Sequence, residues 1–496
     1  MDQKGIVLLG LGPGNPHYLT REALEWIEQV DEIYLRTKNH PVATLLPDKI
    51  SFHSVESELG PDLPTEQVIE KIVLTVLKLG ERPQGVTYAV PGHPLTGDIT
   101  CAGILQRARA VGIPVRIIAG VSLLEPTLQA LSLDMHTQIT LIDALALTKL
   151  DSPSFPPSQP VLITHVTSTT IASQLMTVLM TVYPGYHKVD LVHDVGTENE
   201  VVEHFPLGEI DQSTHFGFCS SLFCPPLPFG SAFEDFQQII AQLRSPGGCP
   251  WDREQTHASL KPYLIEESYE ALEALDMEDM PSLKEELGDI LLQIVLHAQI
   301  GIENGEFRMS DVMQFISDKM IRRHPHVFAG GDARDVAGVI HKWEEIKANE
   351  RKDNGNPEKK GMLDGIPANL PALVQSQHIQ QRAQRIGFDW PEISGVIKKI
   401  YEELDELKQA QTPEERISEA GDVLFAVVNL ARWFDVDAES ALRESNRRFK
   451  KRFAYIEQAA EEQGKTLDDL SFTEMDALWD EAKLKFRSLP EEPTPN

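Results

Sequence analysis

The second half of this chain carries the same ordered set of motifs twice, and no other feature restricts its fold as much. Glu266-Glu267-Ser268-Tyr269-Glu270 precedes Glu286-Leu287-Gly288-Asp289, and Glu402-Glu403-Leu404-Asp405-Glu406 precedes Glu419-Ala420-Gly421-Asp422. Each ExGD runs directly into an apolar stretch, DILLQIVLHA in one copy and DVLFAVVNLA in the other. The copies keep agreeing downstream. Lys319 and Arg323 stand four apart, as do Arg448 and Arg452, and Trp343-Glu-Glu-Ile-Lys347 returns as Trp479-Asp-Glu-Ala-Lys483. A set recurring at this length marks two supersecondary units of one kind. Apolar spacing predicts helices over 233–244, 263–275, 282–302, 312–323, 339–351, 372–385, 393–410, 413–434 and 438–462, with almost no strand-like alternation. The region is expected to be all-α, split by the polar stretch RKDNGNPEKK at 351–360.

Residues three apart share a helix face. Glu403 therefore points with Glu406, and Glu419 with Asp422. Pro413, near the start of the following helix, lets the pair pack antiparallel, so that four carboxylates converge. Unpaired, such a cluster is costly, because like charges in a partly dry site repel. A hard cation removes that cost, and Mg²⁺, which keeps waters and binds substrate phosphates, is the first choice. Glu267, Glu270, Glu286 and Asp289 form the matching set. Arg448, Arg452 and Lys483, with Lys399 one turn before Glu403, are candidate phosphate contacts, and Trp479 a stacking surface. A single EExxE is ordinarily a solvated face, but that does not explain two ordered copies each bordering an apolar stripe.

The first 228 residues read differently. Strand candidates at 6–9, 86–90, 115–118, 138–142, 161–164 and 189–193 alternate with helical stretches, which predicts an α/β domain with a largely parallel sheet. Thr20 is a candidate N-cap for a helix over 20–30. CPPLPFG at 224–230 reads as a linker. Three domains are expected: 1–228, 229–355 and 356–490.

Acidic residues number 76 against 45 Lys and Arg, a formal charge of −31. The first 228 residues carry −12 and the rest −19, so phosphate-neutralising nucleic-acid binding is not expected. The charge on the helical part also repels a triphosphate at long range, making bound cation and the local basic set necessary. Four cysteines without a pairing pattern, no membrane-length apolar run and no signal-peptide start lead to the expectation of a cytoplasmic protein without membrane association. Cys219 and Cys224 lack a histidine pair at zinc spacing and are read as buried thiols, and His324 and His326, which flank a proline turn, are read as local structure or a substrate-side contact ahead of metal binding. The apolar flanks of the carboxylate helices predict a homodimer or larger homo-oligomer.

The helical region closely resembles MazG, an all-α nucleoside triphosphate pyrophosphohydrolase. The resemblance also rests on Gly248-Cys-Pro-Trp-Asp252, Lys319-Met-Ile-Arg-Arg-His-Pro-His-Val-Phe328, Gly365-Ile-Pro-Ala-Asn-Leu-Pro371 and Gly387-Phe-Asp-Trp390. It implies Mg²⁺ on Glu403, Glu406, Glu419 and Asp422, and hydrolysis of a nucleoside triphosphate to monophosphate and pyrophosphate. It places Lys399, Arg448, Arg452, Trp479 and Lys483 at substrate contacts. Glu402, beside the ligands, is the candidate to orient or deprotonate water. The C-terminal unit is expected to carry most of the activity, because Tyr263 stands where Lys399 does.

In the front domain three loops follow strands: Gly10-Leu-Gly-Pro-Gly14, Pro91-Gly92-His93-Pro94-Leu95 and Ala119-Gly120-Val121-Ser122. Ligands bind at such strand ends in open α/β sheets. The first loop lacks the third glycine of a dinucleotide fingerprint, with Pro13 after its second glycine, so dinucleotide binding is rejected. In this order the loops resemble the tetrapyrrole methylase family. That resemblance implies two α/β subdomains and S-adenosylmethionine bound by Gly10, Gly12, Gly14, Pro91, Gly92, His93, Thr96, Ser122 and Leu123. His93 and Ala119 depart from the family pattern. Two readings stay open for the front domain, a methyltransferase or a non-catalytic ligand sensor that regulates the hydrolase; a third takes the helical part as chiefly an oligomerisation module.

Overall fold

The computed structural model describes residues 5–37, 40–42, 49–55, 65–96, 98–134, 136, 138–217, 219–330, 338–339 and 361–486. The helix expected over 339–351, with Trp343 and Lys347, falls almost wholly outside them. Two compact units result, Met1–Ala258 with Val295–Ile300, and Ser259–Ile294 with Gly301–Asn496.

In chain order the first unit contains β1 (Ile6–Gly10), α1 (Arg21–Ile27), β2 (Glu32–Leu35), β3 (Ser51–Ser54), α2 (Thr65–Gly80), β4 (Val86–Val90), α3 (Ile99–Val111), β5 (Val115–Ile118) and α4 (Leu124–Ala130). There follow β6 (Thr140–Asp143), α5 (Ala144–Leu147), β7 (Val161–Thr164), α6 (Thr169–Leu179), β8 (Lys188–His193), β9 (Val201–Pro206) and β10 (Ser221–Cys224). The first sheet has the order β3-β2-β4-β1-β5 and is parallel throughout. Its central strands are apolar on both faces because helices cover both. Leu8 and Tyr88 pack with Ile72, Val76 and Ile104 on one side, while Leu9 and Ala89 pack with Ile27 and Ile33 on the other. Thr20 caps α1 as expected, its hydroxyl accepting from Ala23 N.

The second sheet, β6-β7-β10-β8-β9, corrects the expectation of largely parallel pairing. Only β6 and β7 run parallel; β7–β10, β10–β8 and β8–β9 are antiparallel. The link from His193 to Val201 is too short for a helical crossover, so those strands form a hairpin. The strands β2, β3, β9 and β10 carry mixed or very short apolar runs, and the strand reading above does not list them.

The helices α7 (Phe233–Arg244), α8 (Pro250–Glu254), α9 (Lys261–Asp276), α10 (Met280–Asn304), α11 (Met309–Arg323) and α12 (Pro325–Phe328) follow. The described chain resumes with α13 (Ala372–Gln384), α14 (Ile393–Gln409), α15 (Pro413–Trp433), α16 (Ala438–Glu462) and α17 (Phe472–Lys485). The region is helical as predicted, and helix limits agree to within three residues. A capping box at Thr412 and Glu415, with Pro413 in the first turn, starts α15 and sets it against α14.

Three loops of the first sheet meet backbone to backbone. Gly12 N donates to Gly92 O at 3.2 Å and Gly92 N to Gly12 O at 2.7 Å. A Cβ on Gly120 would overlap the Gly92 carbonyl oxygen, and one on Gly10 the Gly120 amide. These neighbours are backbone and cannot swing aside. Gly120→Ala is therefore expected to destabilise the first unit by about 1–3 kcal/mol, read as a lower urea midpoint; an unchanged midpoint would show that the loops yield.

Candidate functional sites

In each copy three of the four expected carboxylates converge, but not the equivalent three: Asp289 falls outside the first set and Glu406 outside the second. Carboxylate oxygens of Glu403, Glu419 and Asp422 lie within 4.8 Å of one another, and so do those of Glu267, Glu270 and Glu286. Glu403 is buried on α14, while Asp422 on α15 is exposed. The fourth members are close enough to be felt. Burial, then Glu406, Asp422 and Glu403, raise the Glu419 carboxyl above its usual range. In the first copy, burial and then Asp289, Glu270 and Glu286 raise Glu267, and burial with Glu270 and Asp289 raises Glu286. Two oxygens on one Mg²⁺ at about 2.1 Å stand at most about 4.2 Å apart. Small side-chain rotations therefore suffice, and an all-oxygen anionic set suits that ion.

Lys399 sits inside this cluster. Its Nζ is 2.7 Å from Glu402 Oε1 and 2.7 Å from Glu403 Oε1. These hydrogen bonds, to Glu402 first and then Glu403, push its ammonium well above the usual lysine range. Beside it opens a cavity of about 830 Å³ whose lining includes Lys399, Glu403 and Asp422 together with Trp390, Phe425 and Asn429. Asp389 of the GFDW motif holds Arg432 through both carboxylate oxygens at 2.8 Å.

The other expected substrate residues do not line this cavity. Arg448 donates to Glu444 at 3.0 Å and Lys483 to Asp480 at 2.8 Å. Trp479 lies between Phe449, 4.9 Å between ring centroids, and the Arg452 guanidinium, 5.6 Å away. They form one cluster on α16 and α17, and none of them lines the cavity beside the carboxylates. His324 turns Nδ1 to the Met320 carbonyl at 2.7 Å, the local role expected of it.

In the first unit a second cavity, about 640 Å³, opens at the strand ends. Pro13 and Pro91 of the glycine loops reach it, together with Arg36, His40, Asp98 and Asp143. None of these last four was singled out from the sequence. Asp98 and Asp143 are helix N-caps, a role without a motif in a single sequence. His40 Nε2 contacts Gly12 O at 3.0 Å, and burial keeps the ring below the ordinary histidine range. Burial opposes charge on Asp143, yet His165 Nδ1 at 2.9 Å and two helix amides hold its carboxyl low. Of the expected cofactor contacts, Gly12, Gly14 and Gly92 adopt positive φ as loop-forming residues. Leu123 is instead packed with Val192 and Val195, and Ser122 caps α4 by accepting from Leu124 N. Thr96 N bonds His93 O, and His93 Nδ1 accepts from Leu95 N. These contacts, through the side chains of Leu123, Ser122 and His93 and the backbone of Thr96, shape the loops.

Comparison with known proteins agrees with both halves. A model described as the MazG nucleotide pyrophosphohydrolase domain matches residues 255–328, and the tetrapyrrole (corrin/porphyrin) methylase model matches residues 5–211. Nucleoside triphosphate pyrophosphohydrolase/pyrophosphatase MazG of Thermotoga maritima is 48% identical over 255 residues, 51% of this chain and 96% of that protein. The chain belongs to the MazG family. Its MazG region follows a tetrapyrrole methylase domain. Uncharacterized protein YabN of Bacillus subtilis is 36% identical over 486 residues, 96% of this chain and 98% of that one. Among solved structures, uroporphyrin-III-C-methyltransferase from Thermus thermophilus gives a TM-score of 0.33 at 19% identity, covering 45% of this chain and 93% of that chain. Among the described residues no helix is long and apolar enough to cross a membrane.

The raised MazG carboxyls fix the sign of a pH effect. The metal-free fold holds those protons more tightly than the unfolded chain, so its stability falls as pH rises through the interval above the ordinary glutamate value. Bound Mg²⁺ reverses this, because it binds the ionised folded state. Millimolar Mg²⁺ is expected to raise the melting temperature at pH 7.5, with the gain shrinking toward pH 4.5 and falling in Asp422→Asn. An equal gain at both pH values would exclude the carboxylates as its source.

Proposed function

We propose that the chain is a Mg²⁺-dependent nucleoside triphosphate pyrophosphohydrolase, active in its C-terminal unit, with a methyltransferase domain that binds S-adenosylmethionine. The observation that carries the first part is the convergence of Glu403, Glu419 and Asp422 oxygens within 4.8 Å beside a cavity large enough for a nucleoside. The domains are read as 1–228, 229–355 and 356–490.

Glu403, Glu406, Glu419 and Asp422 hold the ion. When bound, it polarises the α-phosphate and offsets the charge of the leaving pyrophosphate. Glu402, bonded to Lys399, is the group next to the ligands that orients and deprotonates the attacking water. Lys399 neutralises the carboxylates in the metal-free site. With the carboxylate charge met by a cation, its ammonium turns to the phosphate oxygens. Arg448, Arg452, Lys483 and Trp479, which stand in their own cluster on α16 and α17, are the further phosphate and stacking contacts of this reading only if substrate binding draws that cluster to the metal site. Glu267, Glu270, Glu286 and Asp289 also suit a cation, but Tyr263 supplies only a neutral hydroxyl there. Exposed Ile417, Leu424 and Val427 on α15 support a homodimer or larger assembly. Light scattering at micromolar concentration is expected to give at least a dimeric mass; a monomer would refute it.

The front domain is read as the S-adenosylmethionine site because glycines bring three loops together where a side chain would keep them apart. Gly10, Gly12, Gly14, Gly92 and Gly120 shape the floor, and Pro13 and Pro91 face the cavity. Calorimetry on the full chain is expected to show binding of S-adenosylmethionine or its demethylated product; no heat with either would refute it. The hydrolase is tested by product analysis. Nucleoside monophosphate and pyrophosphate are expected, only with Mg²⁺, and initial orthophosphate would refute the cleavage position. Glu406→Gln is expected to lose most of the rate and Glu270→Gln to keep most of it; the reverse ranking would move the main site to the first copy.

A further inference from the structure

The aromatic part of the C-terminal cavity has a construction that metal binding does not require. Its floor is Val396 and Ala426, both buried. Its walls carry Trp390, Phe388 and Phe425, which remain 45%, 79% and 42% exposed. Trp390 is seated deliberately. Gly395 lies within α14, where glycine costs about 1 kcal/mol relative to alanine, and a Cβ there would come 2.8 Å from the Trp390 ring. The missing side chain lets the indole lie against the helix. The loop carrying Phe388 and Trp390 is fixed from below by the buried Asp389–Arg432 pair.

Two amides line the same space. Arg432 donates Nε and Nη2 to Asn429 Oδ1 at 3.0 and 2.7 Å. Guanidinium nitrogens only donate, so this fixes the orientation of the amide and leaves Nδ2 as its remaining donor. No described residue accepts from Nδ2. Gln380, buried on α13, gives Nε2 to the Phe425 carbonyl at 2.8 Å, and its Oε1 is buried with no partner. A buried acceptor left unmet costs about 1–3 kcal/mol. Asp422 and Asn429 are seven residues apart on α15, about 10 Å along the axis, which spans the length of a nucleoside rather than a phosphate. In the first copy the position of Asn429 is Leu296 and that of Arg432 is Gln299; Leu296 is buried.

We propose that this aromatic part of the cavity is the nucleobase subsite, with Trp390 and Phe388 as stacking surfaces and Asn429 Nδ2 and Gln380 Oε1 as the donor and acceptor that read the base edge. Neighbouring hydrogen-bond donors and acceptors on a nucleobase meet that pair, whereas inorganic polyphosphate has nothing to place there. The proposal rests on the hydrolase reading above and adds the residues that distinguish a nucleotide from its phosphates.

The test uses the full chain with Mg²⁺ and Asn429→Leu, which copies the first repeat. Its KM for nucleoside triphosphates is expected to rise about 2- to 10-fold, the worth of one net hydrogen bond, with a smaller effect on kcat. Inhibition by inorganic tripolyphosphate is expected to stay unchanged. An equal shift for tripolyphosphate would make Asn429 a support of the metal helix, and no shift for either would place the base elsewhere; each overturns the proposal. Quenching of Trp390 fluorescence, taken as the difference between the wild type and Trp390→Phe, separates the two readings. Quenching by a nucleoside triphosphate but not tripolyphosphate, without hydrolysis, would refute the hydrolase and keep the subsite. Hydrolysis without that quenching would do the opposite.

Discussion

Carboxylates whose oxygens are held within 4.8 Å of one another are the constraint around which the helical region is arranged. Left alone, Glu403, Glu406, Glu419 and Asp422 repel, and the raised Glu419 carboxyl records that repulsion. Two devices answer it. Lys399 supplies a fixed positive charge one turn along the same helix. A divalent cation, as proposed, would supply more, and would also draw a polyanionic substrate to a region whose net charge opposes one. A cluster that weakens the metal-free fold is thus coherent as a site whose order depends on what it binds.

The duplication shows which parts of that arrangement travel together. Each copy gathers three carboxylates, though not the equivalent three, so both suit a cation. The second copy alone combines Lys399, Asn429 and Arg432, where the first has Tyr263, Leu296 and Gln299. Those three substitutions touch the charge balance, the polar lining and the support of the GFDW loop. Changing all three converts a cavity wall into ordinary helix packing, as the burial of Val295, Leu296 and Ile300 shows for the first copy. The carboxylates without that wall remain a helix pair suited to a cation.

Much of this was readable from spacing. Helices from Phe233 onward follow their 3.6-residue period, and the carboxylates meet because i,i+3 pairs on two adjacent helices leave few alternatives. Parallel strands such as β4, buried on both faces, show as apolar runs. Strands β9 and β10 do not, because pairing in a mixed sheet is decided by partners distant in sequence. The cavity walls were hidden for a related reason. Gln380, Asn429 and Arg432 sit on two helices, and only packing of α13 against α15 makes them neighbours. The Trp479 cluster illustrates the limit in the other direction: its residues recur in order, yet order alone does not bring them to Glu403.

The glycine loops carry the same lesson about the front domain. A glycine-rich motif invites the reading that each glycine makes room for a ligand. Here Gly10, Gly92 and Gly120 make room for one another, because three backbones converge at the ends of β1, β4 and β5. Once joined, the loops cannot move independently, and Pro13 and Pro91 are held at the cavity with little freedom of their own. The polar chemistry of that cavity comes from Arg36, Asp98, Asp143 and His165, which belong to no recurring pattern. Asp98 and Asp143 are each tied to a helix N-terminus, and His165 is tied to Asp143. The motif therefore builds the floor, and side chains oriented by secondary structure determine what the cleft can recognise.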